Sequence, residues 1–396
     1  MDETLTFFGM DASYFAEHDC KATSAEIAQQ PRIWIELTKL LSEKKGEMAA
    51  FLDRVGDLRQ RRIIFTGAGS SAFIGDAVAP LIAKTPGIAS ESIPTTEIVS
   101  APQSFLFSDV PTLLVSFARS GNSPESVGAV EYARAVIDDL YEVAITCDGS
   151  AKLAQITKDS DRSLLLVMPE GSNDEGFAMT SSVSCMMLTA FALFNLDDLD
   201  ALSADIELLS KNLTASSSAF TEVAKRLADR DYDRVAYLGS GFLKHIAHEA
   251  ELKTMELTNG IVNGSYESAT GFRHGPKSVI KDKTMTVHFV SPDPFSAQYD
   301  RDLLSEVARQ QKNNMIVAIG NDDAAGLLGD EVIRVPAGYS AVGGDICTGL
   351  MMLVFSQMLA MFKSIDLGIT TDNPSPSGEV NRVVEGVTVY DCPGHR

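Results

Sequence analysis

Three loops carry the residues best suited to chemistry. Gly67-Ala68-Gly69-Ser70-Ser71 follows the apolar run 63–65, Ser120-Gly121-Asn122-Ser123 follows the run 112–117, and Leu238-Gly239-Ser240-Gly241 ends the run that starts at Val235. Glycine- and hydroxyl-rich loops at strand ends turn backbone N–H groups and hydroxyls toward an anion, and the next helix adds its positive end. Such loops point to a phosphorylated small molecule. Ser70, Ser71, Ser120 and Ser123 supply hydroxyls, Arg119 supplies charge, and Gly69 and Gly121 allow close backbone approach. A second set is Glu249, Lys253 and Glu256, followed by His274 within Phe272-Arg273-His274-Gly275-Pro276-Lys277. Spacings of four and three put the first three on one helix face, where a solvated ion pair explains them better than catalysis does. His274 lies in a turn rather than on an apolar stripe, which favours a polar role, and imidazole transfers protons near neutral pH. A carboxylate and an imidazole beside a phosphorylated sugar make an acid–base pair.

Two rival chemistries fit less well. Gly67 to Ala72 is an imperfect dinucleotide fingerprint, but no acidic residue stands about 20 positions on, at the end of a second strand, to take a ribose. Glu97 lies further along than that. His245 and His248, three apart with Glu249 adjacent, hint at a metal, yet the pattern is not H-E-x-x-H and offers no third ligand. A histidine pair on a helix surface is the better reading.

The elements that must position these residues alternate. Up to about residue 58 the apolar spacing is helical, with Pro31 in the first turn of a second helix. Strands are expected at 63–65, 112–117, 142–146 and 164–167, with helices at 72–82, 123–137, 151–156 and 181–195 between and after them. A long helix is expected at 204–229. The cycle restarts with strands at 235–238, 285–290, 315–319 and 332–335 and helices at 243–257, 303–311 and 346–362. Continuous apolar strands separated by helices imply parallel sheets covered on both faces. Two similar α/β lobes therefore stand in tandem, with the loops named above at the carboxyl ends of strands. The turn-rich tail from Asp372 returns to strand-like alternation at 383–390 and should fold back.

Composition narrows the partners. A net charge of −21 over 396 residues argues against nucleic acid, whose backbone would be repelled. Five scattered cysteines without a CxxC read as free thiols in a reducing compartment. The acidic N-terminus lacks signal-peptide features, and the apolar runs 183–194 and 350–362 fall short of the roughly 18 residues that span a bilayer. A cytoplasmic protein without a membrane partner is expected.

The chain resembles the SIS (sugar isomerase) domain superfamily, with two tandem domains, over nearly all its length. The Gly67 to Ser71 loop, the Ser120 to Ser123 turn and the segment from Leu238 to Lys253 carry that resemblance. Within the superfamily it is similar to the galactosamine-6-phosphate deaminase family, also known as tagatose-6-phosphate ketose/aldose isomerase. The identifying strings are Ser116 to Ser126, Asn173 to Ser182, Gly271 to Ser278 and Asp372-Asn373-Pro374-Ser375-Pro376-Ser377-Gly378. The resemblance implies α/β domains of three layers, each a parallel sheet between helices, after an N-terminal helical segment. It divides the chain into the segment 1–58, a first SIS domain 59–200, a connecting helix 201–230, a second SIS domain 231–371 and a tail 372–396 that folds over the site.

It further implies an amino-hexose 6-phosphate as substrate, foremost galactosamine 6-phosphate, converted to tagatose 6-phosphate and ammonia by ring opening and C1–C2 proton transfer. Plain aldose–ketose isomerisation and a noncatalytic sugar-phosphate sensor are the alternatives. The C4 epimer of the substrate stays open. The isomerase half of glucosamine-6-phosphate synthase is a more distant relative. Its phosphate-binding hydroxyls match Ser70, Ser71, Ser120 and Ser123; its proton-shuttling glutamate matches Glu256, its ring-opening histidine His274, and a lysine of its active-site helix Lys253. Its Schiff-base lysine falls at Glu385, so that covalent step does not carry over. Glu379, Asn381 and Arg382 are the tail candidates for substrate contact. No cofactor or metal is needed. A homodimer is expected, with His274 serving its own subunit or a neighbour.

Overall fold

The computed structural model of the chain describes residues 6–158, 160–310, 314–321, 326–378, 380–384 and 386–393; Glu379 and Glu385 lie outside the described residues. Contacts divide the chain into two compact units. One, the first-sheet unit, comprises Ile35–Asp174, Ser181–Leu199 and Val380–Arg396. The other, the second-sheet unit, comprises Met1–Trp34, Glu175–Thr180 and Asp200–Glu379.

The first sheet contains β1 (Arg62–Thr66), β2 (Ala89–Ser92), β3 (Thr112–Ala118), β4 (Leu140–Thr146) and β5 (Ser163–Val167), in the spatial order β2-β1-β3-β4-β5. Every neighbouring pair is parallel. The helices that matter here are α1 (Lys21–Val55), α2 (Ser70–Ile82), α3 (Pro124–Val136) and α4 (Ser181–Leu193). Central strand β3 is buried along its whole length, which is why its sequence is an unbroken apolar run.

The second-sheet unit repeats the plan. It uses α5 (Leu199–Ala228), β6 (Arg234–Gly239), α6 (Phe242–Leu257), β7 (Asn263–Glu267), β8 (Thr284–Phe289), α7 (Ser296–Gln310), β9 (Met315–Asn321), β10 (Glu331–Val335) and α8 (Gly344–Asp366). The order is β7-β6-β8-β9-β10, again all parallel. In both sheets the order reverses beside the first strand, so a crevice opens past the carboxyl ends of β1 and β3 and of β6 and β8. Strands β2 and β7 went unread in the sequence. They are edge strands of composition Ala-Ser-Glu-Ser and Asn-Gly-Ser-Tyr-Glu, with no apolar run to betray them.

Helix α1 runs unbroken for 35 residues with Pro31 inside it, not at a second helix start as the sequence reading had it. Proline cannot donate to the carbonyl four residues back. The Gln30 side chain does so instead: its Nε2 donates to the Ile27 carbonyl at 3.3 Å and to Gln357 Oε1 at 2.8 Å. At the start of α1 the Asp372 carboxylate accepts the Ala22 and Thr23 amides, both at 2.8 Å, which gives the polar tail turn a capping role.

Helix α8 is longer than the apolar run suggested: by length and composition its 23 residues reach the range of a membrane span, but 94% of its apolar window is buried inside the chain, as in a core helix. Four of the five cysteines are buried and Cys392 is half-buried.

His288 on β8 is buried, with Nε2 3.2 Å from Thr286 Oγ1, and burial pushes its pKa down to about 3. An unfolded imidazole binds its proton near pH 6.5, so the unfolded chain takes up this proton first as pH falls. Stability from this group is whole above about pH 6.5 and declines below it, by on the order of 1 kcal/mol per pH unit. Urea midpoints measured from pH 7 to 5 should fall less steeply for His288→Leu than for the parent chain.

The tail alternation at 383–390 forms no strand among the described residues. The segment nevertheless folds back on the first-sheet unit: the Val389 methyls cover Gly128 of α3, and Tyr132 Oη donates to the Tyr390 carbonyl.

Candidate active site

The loop after β1 is built by its glycines. A Cβ on Gly67 would stand 2.5 Å from the Ser71 carbonyl carbon, and Gly69, the residue before α2, has φ 56° and ψ −132°. Thr95 clamps the loop, its amide and hydroxyl both donating to the Gly67 carbonyl at 2.7 and 3.1 Å. Ser70 and Ser71 follow at the start of α2, where N–H groups lack helical acceptors, and both side chains are buried.

The turn after β3 follows the neighbouring strand of the same sheet. Gly121 has φ 62°, and a Cβ there would meet that of Ala151 at 2.7 Å. Asn122 holds the turn's shape: its Nδ2 donates to the Ser120 carbonyl at 3.0 Å and its Oδ1 accepts the Lys152 amide at 3.1 Å. Ser123 Oγ lies 2.6 Å from Ser126 Oγ at the entry to α3. The structure thus brings Ser70, Ser71, Ser120 and Ser123 to neighbouring strand ends of one sheet. Arg119 is buried, and its Nη2 donates to the carbonyl of Arg382 in the tail at 2.8 Å. Glu125, buried in the first turn of α3, was not anticipated; its Oε2 has no hydrogen-bond partner among the described residues.

The third loop, after β6, copies the first in backbone: Gly241 has φ 58° and ψ −129°, and a Cβ on Gly239 would stand 2.8 Å from the Leu243 carbonyl oxygen. Its hydroxyl, however, is already engaged. Ser240 Oγ donates to Asp300 Oδ1, and the Ser291 amide donates to Asp300 Oδ2 at 2.9 Å. A buried carboxylate occupies the position of an anion, so this loop does not resemble the first in what it can receive. No sequence signal tied Asp300 to Ser240.

On α6 the predicted face is not solvated. Glu249 and Lys253 are buried, and of the three only Glu256, at 24% side-chain exposure, reaches solvent. Lys253 Nζ lies 2.5 Å from Glu256 Oε2 and 3.3 Å from Glu249 Oε1. Burial pulls the Lys253 pKa down, but Glu249 and Glu256 more than offset it and leave it above the ordinary value. Lys253 therefore stays charged and orients the Glu256 side chain.

His274 closes a 3-10 turn, Gly271–His274, and is exposed. Its neighbours are pinned to α7: Arg273 Nε donates to Glu306 Oε2 at 2.7 Å and Lys277 Nζ donates to Glu306 Oε1. These hydrogen bonds hold the Glu306 carboxyl below its usual range. His248 stacks on Tyr266 with centroids 3.8 Å apart, and no group of three or more potential metal ligands exists among the described residues. In the tail, Arg382 Nε donates to the Asp174 carbonyl at 3.0 Å, and the Asp174 carboxylate accepts the Ser181 and Ser182 amides at 3.0 and 2.9 Å at the start of α4.

Comparison with known proteins agrees with this architecture. The SIS domain family matches residues 58–196. D-galactosamine-6-phosphate deaminase AgaS of Shewanella sp. strain ANA-3 is 39% identical over 390 residues, spanning 96% of this chain and 95% of that one. The chain belongs to the AgaS family. An AgaS of Escherichia coli, also named D-galactosamine-6-phosphate deaminase, is 38% identical over 93% of this chain and 95% of its own. The crystal structure of tagatose-6-phosphate ketose/aldose isomerase from Escherichia coli superposes with a TM-score of 0.85 at 36% identity, covering 93% of this chain and 96% of that one. The strings that marked the AgaS family have structural work of their own: Asp372 caps α1, Asp174 caps α4, and Arg273 and Lys277 fix the His274 turn to α7.

Proposed function

We propose that this protein is an amino-sugar-phosphate deaminase that converts galactosamine 6-phosphate to tagatose 6-phosphate and ammonia. Ser70, Ser71, Ser120 and Ser123, with Arg119 beside them, hold the 6-phosphate and set the sugar's register. His274 moves a proton between O1 and O5 to open the ring. Glu256 takes the C2 proton and returns it to C1 while O1 gains the proton that the amine gives up, which turns the amino aldehyde into a C2 imine. Water adds to the imine carbon, ammonia leaves, and the ketose phosphate remains. The observation that carries this reading is the buried ammonium of Lys253 against a carboxylate, Glu256, that still reaches solvent. Kinship with the AgaS proteins supplies the substrate. A homodimer fits the reading, since Val380, Val384 and Tyr390 leave apolar side chains exposed on the tail, and the proposed location is the cytoplasm.

Plain isomerisation is the second reading, favoured by the name of the Escherichia coli structure. With a hydroxyl at C2 the same proton transfer interconverts an aldose and a ketose phosphate. One set of incubations separates the two. Galactosamine 6-phosphate should release ammonia, with a higher kcat/KM than glucosamine 6-phosphate. Ammonia from neither, with tagatose 6-phosphate converted to its aldose, would establish the isomerase instead.

A further inference from the structure

We infer that Arg382 is a positioning residue that shapes the phosphate-binding turn from the tail without touching the substrate; this rests on the phosphate role proposed above for the serine turn. The guanidinium of Arg382 is committed to the loop after β5. Its Nε and Nη2 both donate to the Asp174 carbonyl, and Nη2 lies 3.4 Å from Asn173 Oδ1. Its own carbonyl accepts Arg119 Nη2 at 2.8 Å. Arg119 is the residue between β3 and Ser120, so any shift of its side chain is felt at the turn. Asp174 in turn holds the first amides of α4 and the Ser182 hydroxyl. A single tail residue therefore links the serine turn to the start of α4 inside one unit.

The geometry assigns Arg119 a double duty. A buried guanidinium has five donors in a rigid fork, and one of them is spent on a main-chain carbonyl 263 residues away. That bond ties the guanidinium of Arg119 to the tail. Removing the Arg382 side chain keeps that carbonyl but cuts the bonds that anchor it to the loop after β5, so the neutral acceptor that orients Arg119 is held less firmly. Phosphate binding should suffer while the proton-transfer chemistry, which belongs to other residues, proceeds.

The experiment uses the full chain with Arg382→Ala and Arg382→Lys, a urea midpoint for each, steady-state kinetics with galactosamine 6-phosphate, and amide hydrogen exchange without substrate. Arg382→Ala should raise KM and the inhibition constant of inorganic phosphate by about tenfold, with kcat changed by less than about twofold, because hydrogen bonds to a charged group are at stake. Exchange at residues 119–123 should quicken in the same variant. Arg382→Lys, which reaches one carbonyl but cannot fork, should fall between the two. A lower kcat at unchanged KM is the mark of a merely structural loss of folded protein and would overturn the proposal, as would unchanged exchange in the turn. Faster exchange in the turn of Arg382→Ala, in a parent chain that turns over no amino-sugar phosphate, would sink the proposed function and keep the positioning role.

Discussion

Glu256→Gln should lower kcat for galactosamine 6-phosphate by about 10²–10⁴-fold, the span that a positioned acid–base group contributes, while KM stays within about threefold. Glutamine keeps the shape of the side chain and an oxygen that Lys253 Nζ, now 2.5 Å from Glu256 Oε2, still reaches. It cannot take a proton from C2. In the proposed function the serine loops grip the substrate, so the loss should sit in kcat. A Glu256→Gln chain that turns over at the parent rate would remove this residue from the mechanism. A variant that loses binding as well would make it a substrate ligand rather than a base.

Lys253→Ala should cost about 3–5 kcal/mol of stability, the range for removing one partner of a buried ion pair. The reason is Glu249. Its side chain is buried beside Lys253, and removing the ammonium takes a buried countercharge away from it. Chemical denaturation of Lys253→Ala and of Lys253→Met with and without Glu249→Gln tests this. The double change should recover much of the loss, since a neutral amide no longer needs the cation. If Lys253→Ala unfolds at the parent's urea concentration, the lysine is not what neutralises Glu249. Turnover should drop in every Lys253 variant, because Glu256 loses the group that orients it.

The parts of the site that were legible in the sequence are those where the backbone forces the residue. Gly69 and Gly241 share one positive-φ conformation, and Gly67 and Gly239 sit where a helix start leaves no room for a Cβ. The tandem repeat was visible through such positions. Strands β1, β3, β6 and β8 were visible because burial demands apolar residues. The two loops looked alike as strings, yet Asp300 reaches Ser240 from α7 and fills one of them. The face of α6 read as solvated, because spacing places residues on a face but does not say what covers it.

Periodicity and glycine placement are local properties of a chain, so the two α/β lobes, the positions of the loops and the family could be read from the residues alone. Partnerships between residues far apart in sequence depend on which helix or tail is folded against which loop. The carboxylate at Ser240, the burial of Lys253, the Gln30 side chain that serves the carbonyl Pro31 abandons, and the reach of Arg382 to Arg119 were therefore settled only by packing.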